Sequence, residues 1–431
     1  LVPKRISSIP GLQWYRFIRY SFLLLTAILL AQWGVSTTDI GGYELIFHLL
    51  YVLTFFWVNG IFQSVLIRSR RLSDGDRNEF LGRIWFLILL FTAFFTLLLW
   101  LLGSKGGWIL FGISDLRHWH LYVLLFGLSV PPLVYEYFLL ARNQIRDLLV
   151  WGAVSYTLHI VVTLTPFLFG YGLQEMLWGH IGLSLGRFLY VGLDLGWPRL
   201  RFPETSWWTA SAHLTLYSVL GGIPIAFDTW LVGYMSQAES EIAIFRYGAR
   251  ELPLFMILLG SVHLIVLSDK DRLDEALTRI RKQIQRHLPF LAVLSGLLCL
   301  LSPLLFPLLF TETFSESAVI FNVYLLLLLS RLNLSHTVMM RLESYKIMNF
   351  VAFIEVFLNV ILSVWWVQYW GWVGIALATV VAYLFEKLFF TLWLYYKKQI
   401  PLNMYLPVRS YLGYSGLVVI CFIVGSFFLY D

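Results

Sequence analysis

The sequence predicts an all-α polytopic membrane protein with about 13 transmembrane helices: two parallel six-helix halves around a central cavity, plus an extra C-terminal helix. Three observations carry this reading. Hydrophobic residues make up 59% of the 431 positions and charged residues only 13%, against roughly 25% charged in a soluble domain. The apolar runs are continuous, as in Phe86–Leu102, and lack the alternation of a membrane β-barrel strand. Basic residues gather at one end of these runs, as they do in cytoplasmic loops. A bilayer core of about 30 Å takes about 20 helical residues, so the length is used up by spans and leaves no room for a separate soluble domain.

The spans are expected at about 15–33, 41–67, 81–103, 118–141, 147–170, 172–195, 211–234, 240–267, 287–310, 316–340, 346–369, 371–396 and 409–430. The first follows Arg16 and Arg19 and leads straight into the second, which is the pattern of a retained span and not of a cleaved signal. With the N-terminus cytoplasmic, 24 of the 31 basic residues fall on the cytoplasmic side and two, Lys105 and Arg117, on the other. The net charge of +6 is therefore a topology signature, and no nucleic-acid partner is expected. An odd number of spans puts the C-terminus outside.

The outer loops Ser36–Gly41, Gly170–Gly172, Ser236–Ser240, Thr311–Ser317 and Gln368–Gly371 are too short to form a catalytic domain, so the chain is not expected to be an enzyme. Two inner connections are longer. Residues 196–210 contain Pro198 and Pro203 and divide the chain near its midpoint. Residues 268–287 read as an amphipathic surface helix, with Ser268 and Asp271 in capping-box spacing and acids leading bases along the helix dipole. The expected organisation is an N-terminal half over residues 1–200, a C-terminal half over 201–400 and an additional span over 401–431. Six spans return the chain to the same face, so the halves would be parallel repeats of the kind that frame an alternating-access site. Gly170-Tyr171-Gly172 and Trp370-Gly371-Trp372 each lead into a helix carrying one cation, Arg187 or Lys387.

A charge at mid-membrane costs at least about 2.5–3.5 kcal/mol, so each one asks for a reason. Asp228 lies about 9 Å below the outer end of the seventh span at about 1.5 Å per residue. Arg246, on the eighth, is at the same depth, and the hairpin between them makes an Asp228–Arg246 ion pair the natural expectation. Arg250 is one turn deeper and suits an anionic group, because a guanidinium binds phosphate oxygens as a fork. Arg19, at the inner end of the first span, could supply an entry contact or simply snorkel to the interface. Arg331, Glu355, Glu386 and Lys387 share a depth on the tenth to twelfth spans. They read as a structural charge cluster or as the seat of a coupling ion, with Glu136 and Arg187 playing the same part in the first half. Gly221 and Gly222 followed by Pro224 interrupt the seventh span's hydrogen-bond ladder and are candidate hinge residues. His48, His159 and His180 lack metal-ligand spacing and no metal is expected. Cys299 and Cys421 read as buried free thiols.

Three stretches resemble bacterial polysaccharide flippases, the Wzx-type members of the multidrug/oligosaccharidyl-lipid/polysaccharide exporter superfamily: Asp228–Pro253 with its FRYGARELP piece, TTDIGGY at Thr37–Tyr43, and the segments YKIMNFVAFIEVFLNVILS and WGWVGIALATVVAYLFE within Tyr345–Thr391. The resemblance implies a multi-pass protein of the bacterial cytoplasmic (inner) membrane. It would flip a polyprenyl-diphosphate-linked oligosaccharide from the inner to the outer leaflet by alternating access. Helices one, two, seven and eight would line the cavity, which makes Arg19, His48, Asn59, Asp228, Arg246 and Arg250 lining candidates. No cofactor is implied beyond a coupling ion, proton or Na⁺. The expected partners are membrane lipid, the lipid-linked glycan and glycan polymerase or other biosynthesis proteins. The alternatives are a small-molecule or multidrug antiporter of the same fold, and a membrane glycosyltransferase or polymerase acting on the same lipid.

Overall fold

The computed structural model describes residues 8–58, 61, 65, 69, 72–196, 205–250 and 273–430. Among these residues the regular structure is helical throughout, with no strand. In order the helices are α1 (Ser8–Gln32), α2 (Thr37–Thr54), α3 (Asp74–Leu102), α4 (Lys105–Phe111), α5 (Trp119–Ser129), α6 (Val134–Ala141), α7 (Ile145–Leu168) and α8 (Leu173–Leu195). They continue with α9 (Thr205–Ser236), α10 (Glu239–Gly248), α11 (Leu273–Phe310), α12 (Ser315–Leu325), α13 (Leu327–Leu332), α14 (Ser335–Arg341), α15 (Tyr345–Lys398) and α16 (Val408–Tyr430). Eight stretches among the described residues are long and apolar enough to cross a membrane. Their outward faces are apolar. Phe350, Phe353, Phe357 and Ile361 form an exposed stripe on α15, and Leu90, Phe94, Leu97 and Leu101 form one on α3. Patches of that extent would be a liability in water and are the lipid-facing surface of a multi-pass membrane protein.

Local chemistry sets the helix ends. Ser36 and Ser73 cap α2 and α3, each hydroxyl donating to the carboxylate three residues on (Asp39 at 2.8 Å, Asp76 at 2.6 Å) and accepting from that residue's backbone N–H, a reciprocal cap of the orphan donors there. The eleventh and twelfth expected spans are the two limbs of α15, which turn at Gly371 with φ 54°, a backbone conformation that costs glycine least.

The structure corrects four element boundaries. The segment expected as a surface helix is continuous with the ninth span: from Leu273 one helix of 38 residues runs to Phe310. Its buried stripe Ala276, Leu277, Ile280, Ile284, Leu288 and Leu291 keeps one face across the expected boundary, so nothing stops the helix there. Residues 268–272, with the proposed cap at Ser268 and Asp271, lie outside the described residues. The fourth span is broken at Pro131-Pro132 between α5 and α6, since neither proline can donate to the helical ladder. The tenth is broken at Asn333 with ψ 92°, where the side-chain amide donates to Thr391 Oγ1 at 3.1 Å and Oδ1 accepts from Ser335 N at 3.2 Å. The eighth, expected as one helix over 240–267, ends as α10 at Gly248; residues 251–272 lie outside the described set.

The chain divides into two compact units: Leu1–Gly222 with Thr229–Ala243, and Ile223–Asp228 with Ile244–Asp431. The first boundary falls inside α9, between Gly222 and Pro224. In the second unit α16 packs along α11, where a Cβ on Gly425 would strike the Cys299 carbonyl and one on Gly296 would meet the Cys421 sulfur. Both cysteines are free thiols.

The two units repeat one motif 200 positions apart. Helix α6 ends at Ala141 and α14 at Arg341; Asn143 and Glu343 then take left-handed φ of 60° and 52°, and α7 and α15 begin at residues 145 and 345. The closing hydrogen bonds match as well: Gln144 N to Leu139 O at 2.8 Å, and Ser344 N to Met339 O at 3.1 Å.

Candidate functional site

Asp228, on α9, is 2% exposed. Its Oδ2 accepts from Thr379 Oγ1 at 2.6 Å and from Tyr324 OH at 3.4 Å, on α15 and α12 of the same unit. Thr379 Oγ1 in turn accepts from the Asn359 side-chain amide at 3.0 Å. Two acceptors are left over: Asp228 Oδ1 and Asn359 Oδ1 are buried with no hydrogen-bond partner among the described residues. Orphaned buried oxygens are costly, and two on one hydroxyl hub suit a proton or a small cation. The expected Asp228–Arg246 ion pair is not formed. A hairpin makes two helices neighbours without fixing which faces meet, and Asp228 faces hydroxyl donors from later helices instead.

Arg250 is not one turn further along a helix from Arg246, because α10 has already ended at Gly248. There a Cβ would strike Ile320 and the Ser317 carbonyl. The Arg250 guanidinium lies 4.6 Å from the centre of the Tyr247 ring. That ring is buried, stacked on Phe314 at 4.3 Å and edge-on to Phe310 at 5.1 Å. An aromatic face holds a guanidinium by its quadrupole and orients its plane.

Of the four charges expected to share a depth, Glu355, Glu386 and Lys387 are near enough to act on one another. Lys387 pairs with the adjacent Glu386, and both act electrostatically on Glu355, whose Oε1 has no hydrogen-bond partner among the described residues. Arg331 sits on α13, two residues before the break at Asn333, and is not among the groups that act on Glu355.

In the first unit Arg19 faces Tyr156, Glu136 and Tyr15, and Glu136 faces Arg19, Tyr15, Arg187 and Arg16. Arg187 also donates to the backbone carbonyl of Ser155. Arg19 therefore belongs to a network inside its own unit. The histidines are less scattered than their sequence positions suggest. His159 and His180 have ring centres 4.7 Å apart; Tyr43 OH meets His159 Nε2 at 2.8 Å and Thr163 Oγ1 meets His180 Nε2 at 3.0 Å. Thr163 Oγ1 is also within hydrogen-bond distance of the His159 carbonyl, at 2.7 Å. Only the helical neighbourhood of α7 and α8 could have revealed this cluster. His48 is buried with its ring 5.6 Å from Phe111; Asn59 lies outside the described residues.

Gly221, Gly222 and Pro224 lie within an α9 that stays helical throughout. Pro224 deprives the Leu220 carbonyl of its i+4 donor. The Gly222 carbonyl accepts from Tyr51 OH at 3.4 Å, and its missing side chain makes room for the Phe55 ring.

At the loop end of the first unit Arg117 forms a fork with Glu239 at 2.6 Å and reaches Asp39 at 3.4 Å. The Glu239 hydrogen bond raises the Arg117 pKa above its ordinary value, so this cation stays charged at any working pH. Gln237 donates to the Gly112 carbonyl at 2.6 Å and accepts from Ser114 N at 3.0 Å. Close backbone approach completes the joint: a Cβ on Gly233 would strike the Phe111 carbonyl, and one on Gly41 the Glu239 carbonyl.

No protein-family model and no curated protein matches the chain. Solved structures do. Lipid II flippase MurJ in an inward closed conformation is 16% identical with a TM-score of 0.66, covering 99% of each chain. An outward-facing multidrug resistance MATE family transporter of the MOP superfamily is 13% identical with a TM-score of 0.62, covering 95% of this chain and 96% of that one. A MOP superfamily transporter from Pyrococcus furiosus, described as having a binding pocket of reversed polarity, is 14% identical with a TM-score of 0.62, over 90% and 94%. At these identities the likeness shows a shared fold along nearly the whole chain.

Proposed function

We propose that this chain is a transporter of the multidrug/oligosaccharidyl-lipid/polysaccharide exporter superfamily. It flips an oligosaccharide carried on polyprenyl diphosphate from the inner to the outer leaflet of a bacterial cytoplasmic membrane, by alternating access, with its N-terminus cytoplasmic. The observation that carries the anionic substrate is Arg250. It lies two residues past the end of α10, whose 10 residues span about 15 Å at about 1.5 Å per residue, about half of a roughly 30 Å core. Its guanidinium lies over the Tyr247 ring, 4.6 Å from the ring centre, and a guanidinium is a fork-shaped seat for phosphate oxygens. Flipping makes and breaks no covalent bond, so no catalytic residue is required. Asp228, with its orphaned Oδ1 and its link through Thr379 to Asn359, is the seat we assign to a coupling cation, proton or Na⁺.

The test is export in cells lacking the gene. Glycan should disappear from the surface while its lipid-linked precursor accumulates inside. Arg250→Ala should reproduce that loss at normal protein abundance, and Arg250→Lys, which supplies a point charge without the fork, should recover only part of it. Wild-type export by Arg250→Ala removes the residue from the mechanism. A second reading, small-molecule antiport, is favoured by the likeness to a multidrug resistance transporter. Deletion that leaves glycan export intact but raises drug susceptibility would replace the first reading with this one.

A further inference from the structure

The first unit holds more positive charge inside it than its acids balance. Arg19 lies 13 positions before the end of α1 at Gln32, and Arg187 lies 14 positions after the start of α8 at Leu173. Both are therefore about 20 Å, at about 1.5 Å per residue, from the helix ends that the basic asymmetry puts outside, within a roughly 30 Å core. Helix α7 packs against α1, α6 and α8, and Gly152 on it leaves room for the Tyr15 ring. Both guanidiniums act on the same two groups there, Tyr156 on α7 and Glu136 on α6. Glu136 is the single acid that acts on Arg187 among the described residues, and Arg19, Arg187 and Arg16 all draw on it. Arg16 is half-buried, nearly one turn closer to the inner end, and can extend to the headgroups. Arg19 and Arg187 turn inward, and a guanidinium does not shed its proton. Each holds a buried Nε–H with no hydrogen-bond partner among the described residues. The second unit treats the same position differently. Lys387, the counterpart of Arg187, pairs with the adjacent Glu386 and has Glu355 near it. At those two places the first unit has Gly186 and Ser155, and Arg187 donates to the Ser155 backbone carbonyl. The cation is kept and both carboxylates are gone.

We infer that the first unit binds a small monovalent inorganic anion of the halide class, held jointly by the Arg19 and Arg187 guanidiniums through their orphaned Nε–H groups. Two guanidiniums against one carboxylate leave a surplus of one charge, which one halide cancels. A buried charge without a counter-ion is costly. A halide accepts N–H donors from any direction, as two guanidiniums on different helices require. A phosphate would overshoot the charge and bring more oxygens than these donors serve. The site is distinct from Arg250, which belongs to the second unit, and does not depend on what the chain carries.

The test uses the purified full chain in detergent, with radioactive chloride as the probe. The wild type should take up chloride saturably, one ion per chain. It should also unfold at a temperature at least about 2 °C higher in sodium chloride than in sodium gluconate of equal ionic strength. Arg187→Gln should abolish both effects. Arg187→Lys, which keeps the charge and removes the fork, should fold and bind chloride at least about tenfold more weakly. Ser155→Glu restores the carboxylate that the second unit has at this position. It should bind no chloride, yet in gluconate unfold as high as the wild type does in chloride. Wild-type protein without saturable chloride binding overturns the site. So does binding that survives Arg187→Gln and is lost with Arg250→Ala, which would put the anion on the seat proposed for the substrate's phosphates.

Discussion

A buried carboxylate is an expensive residue, and Asp228 shows what the expense secures. Its Oδ2 gathers two hydroxyl donors, and the shorter bond, from Thr379, is charge-assisted and of a kind worth about 1.5–3 kcal/mol. A double-mutant cycle over Asp228→Asn and Thr379→Val, read by denaturant unfolding in detergent, should therefore show a coupling of about 1–2 kcal/mol. The cycle over Asp228→Ala and Arg246→Ala should be additive within about 0.5 kcal/mol, because the two side chains share no bond. A large coupling in the second cycle would restore the ion pair that hairpin adjacency suggested. The reason for that mistaken expectation is physical. Asp228's real partners lie 96 and 151 positions away, and no local pattern encodes which face of α9 meets them. Burial of an acid in an apolar run was legible; its partners were not.

At the scale of elements, legibility followed the backbone. The turn at Gly371 could be read from a lone glycine between two tryptophans, and the run of α15 from unbroken apolar sequence on either side. The break at Pro131-Pro132 is also written in the residues, since neither proline can donate to the helical ladder, although the apolar run around them reads as a single span. The break at Asn333 was not, because its stability comes from a bond to Thr391 on another helix. Helix α11 shows the opposite error: a change of composition near residue 287 looked like a boundary, while the buried stripe ran on. The joint around Arg117 lets this element-level packing be tested. Arg117→Ala would leave Glu239, only 6% exposed, without its fork. Because Arg117 itself is 43% exposed, the loss should be about 1–2 kcal/mol, below the full value for a buried pair. Glu239→Gln in the same background should return part of it. Gly233→Ala drives a Cβ into the Phe111 carbonyl and should cost about 1–3 kcal/mol as overpacking. Thermal unfolding in detergent reads both, and a Gly233→Ala protein as stable as wild type would mean that the two backbones can move apart freely.

For the whole molecule, the repeat ties orientation to fold. Turns 200 positions apart share their left-handed residue and their closing hydrogen bonds. Both turns carry basic residues, Arg142 and Arg146 at the first and Arg341 and Lys346 at the second, the residue type that cytoplasmic loops collect. The opposite ends of the helices carry Lys105 and Arg117, and Arg117 is neutralised by Glu239 and Asp39. If the basic side is cytoplasmic, as the charge asymmetry demands, a cysteine at the exposed position Asp115 should react with a membrane-impermeant thiol reagent on intact cells, and one at exposed Ser73 only after lysis. Asp115 is the better outer reporter than Ala238 in the α9–α10 hairpin, which is half-buried. Labelling of Ser73→Cys on intact cells with Asp115→Cys protected would invert the molecule. The direction assigned to flipping would then be reversed, since the entry side for a lipid-linked substrate is defined by which face of the protein meets the cytoplasm.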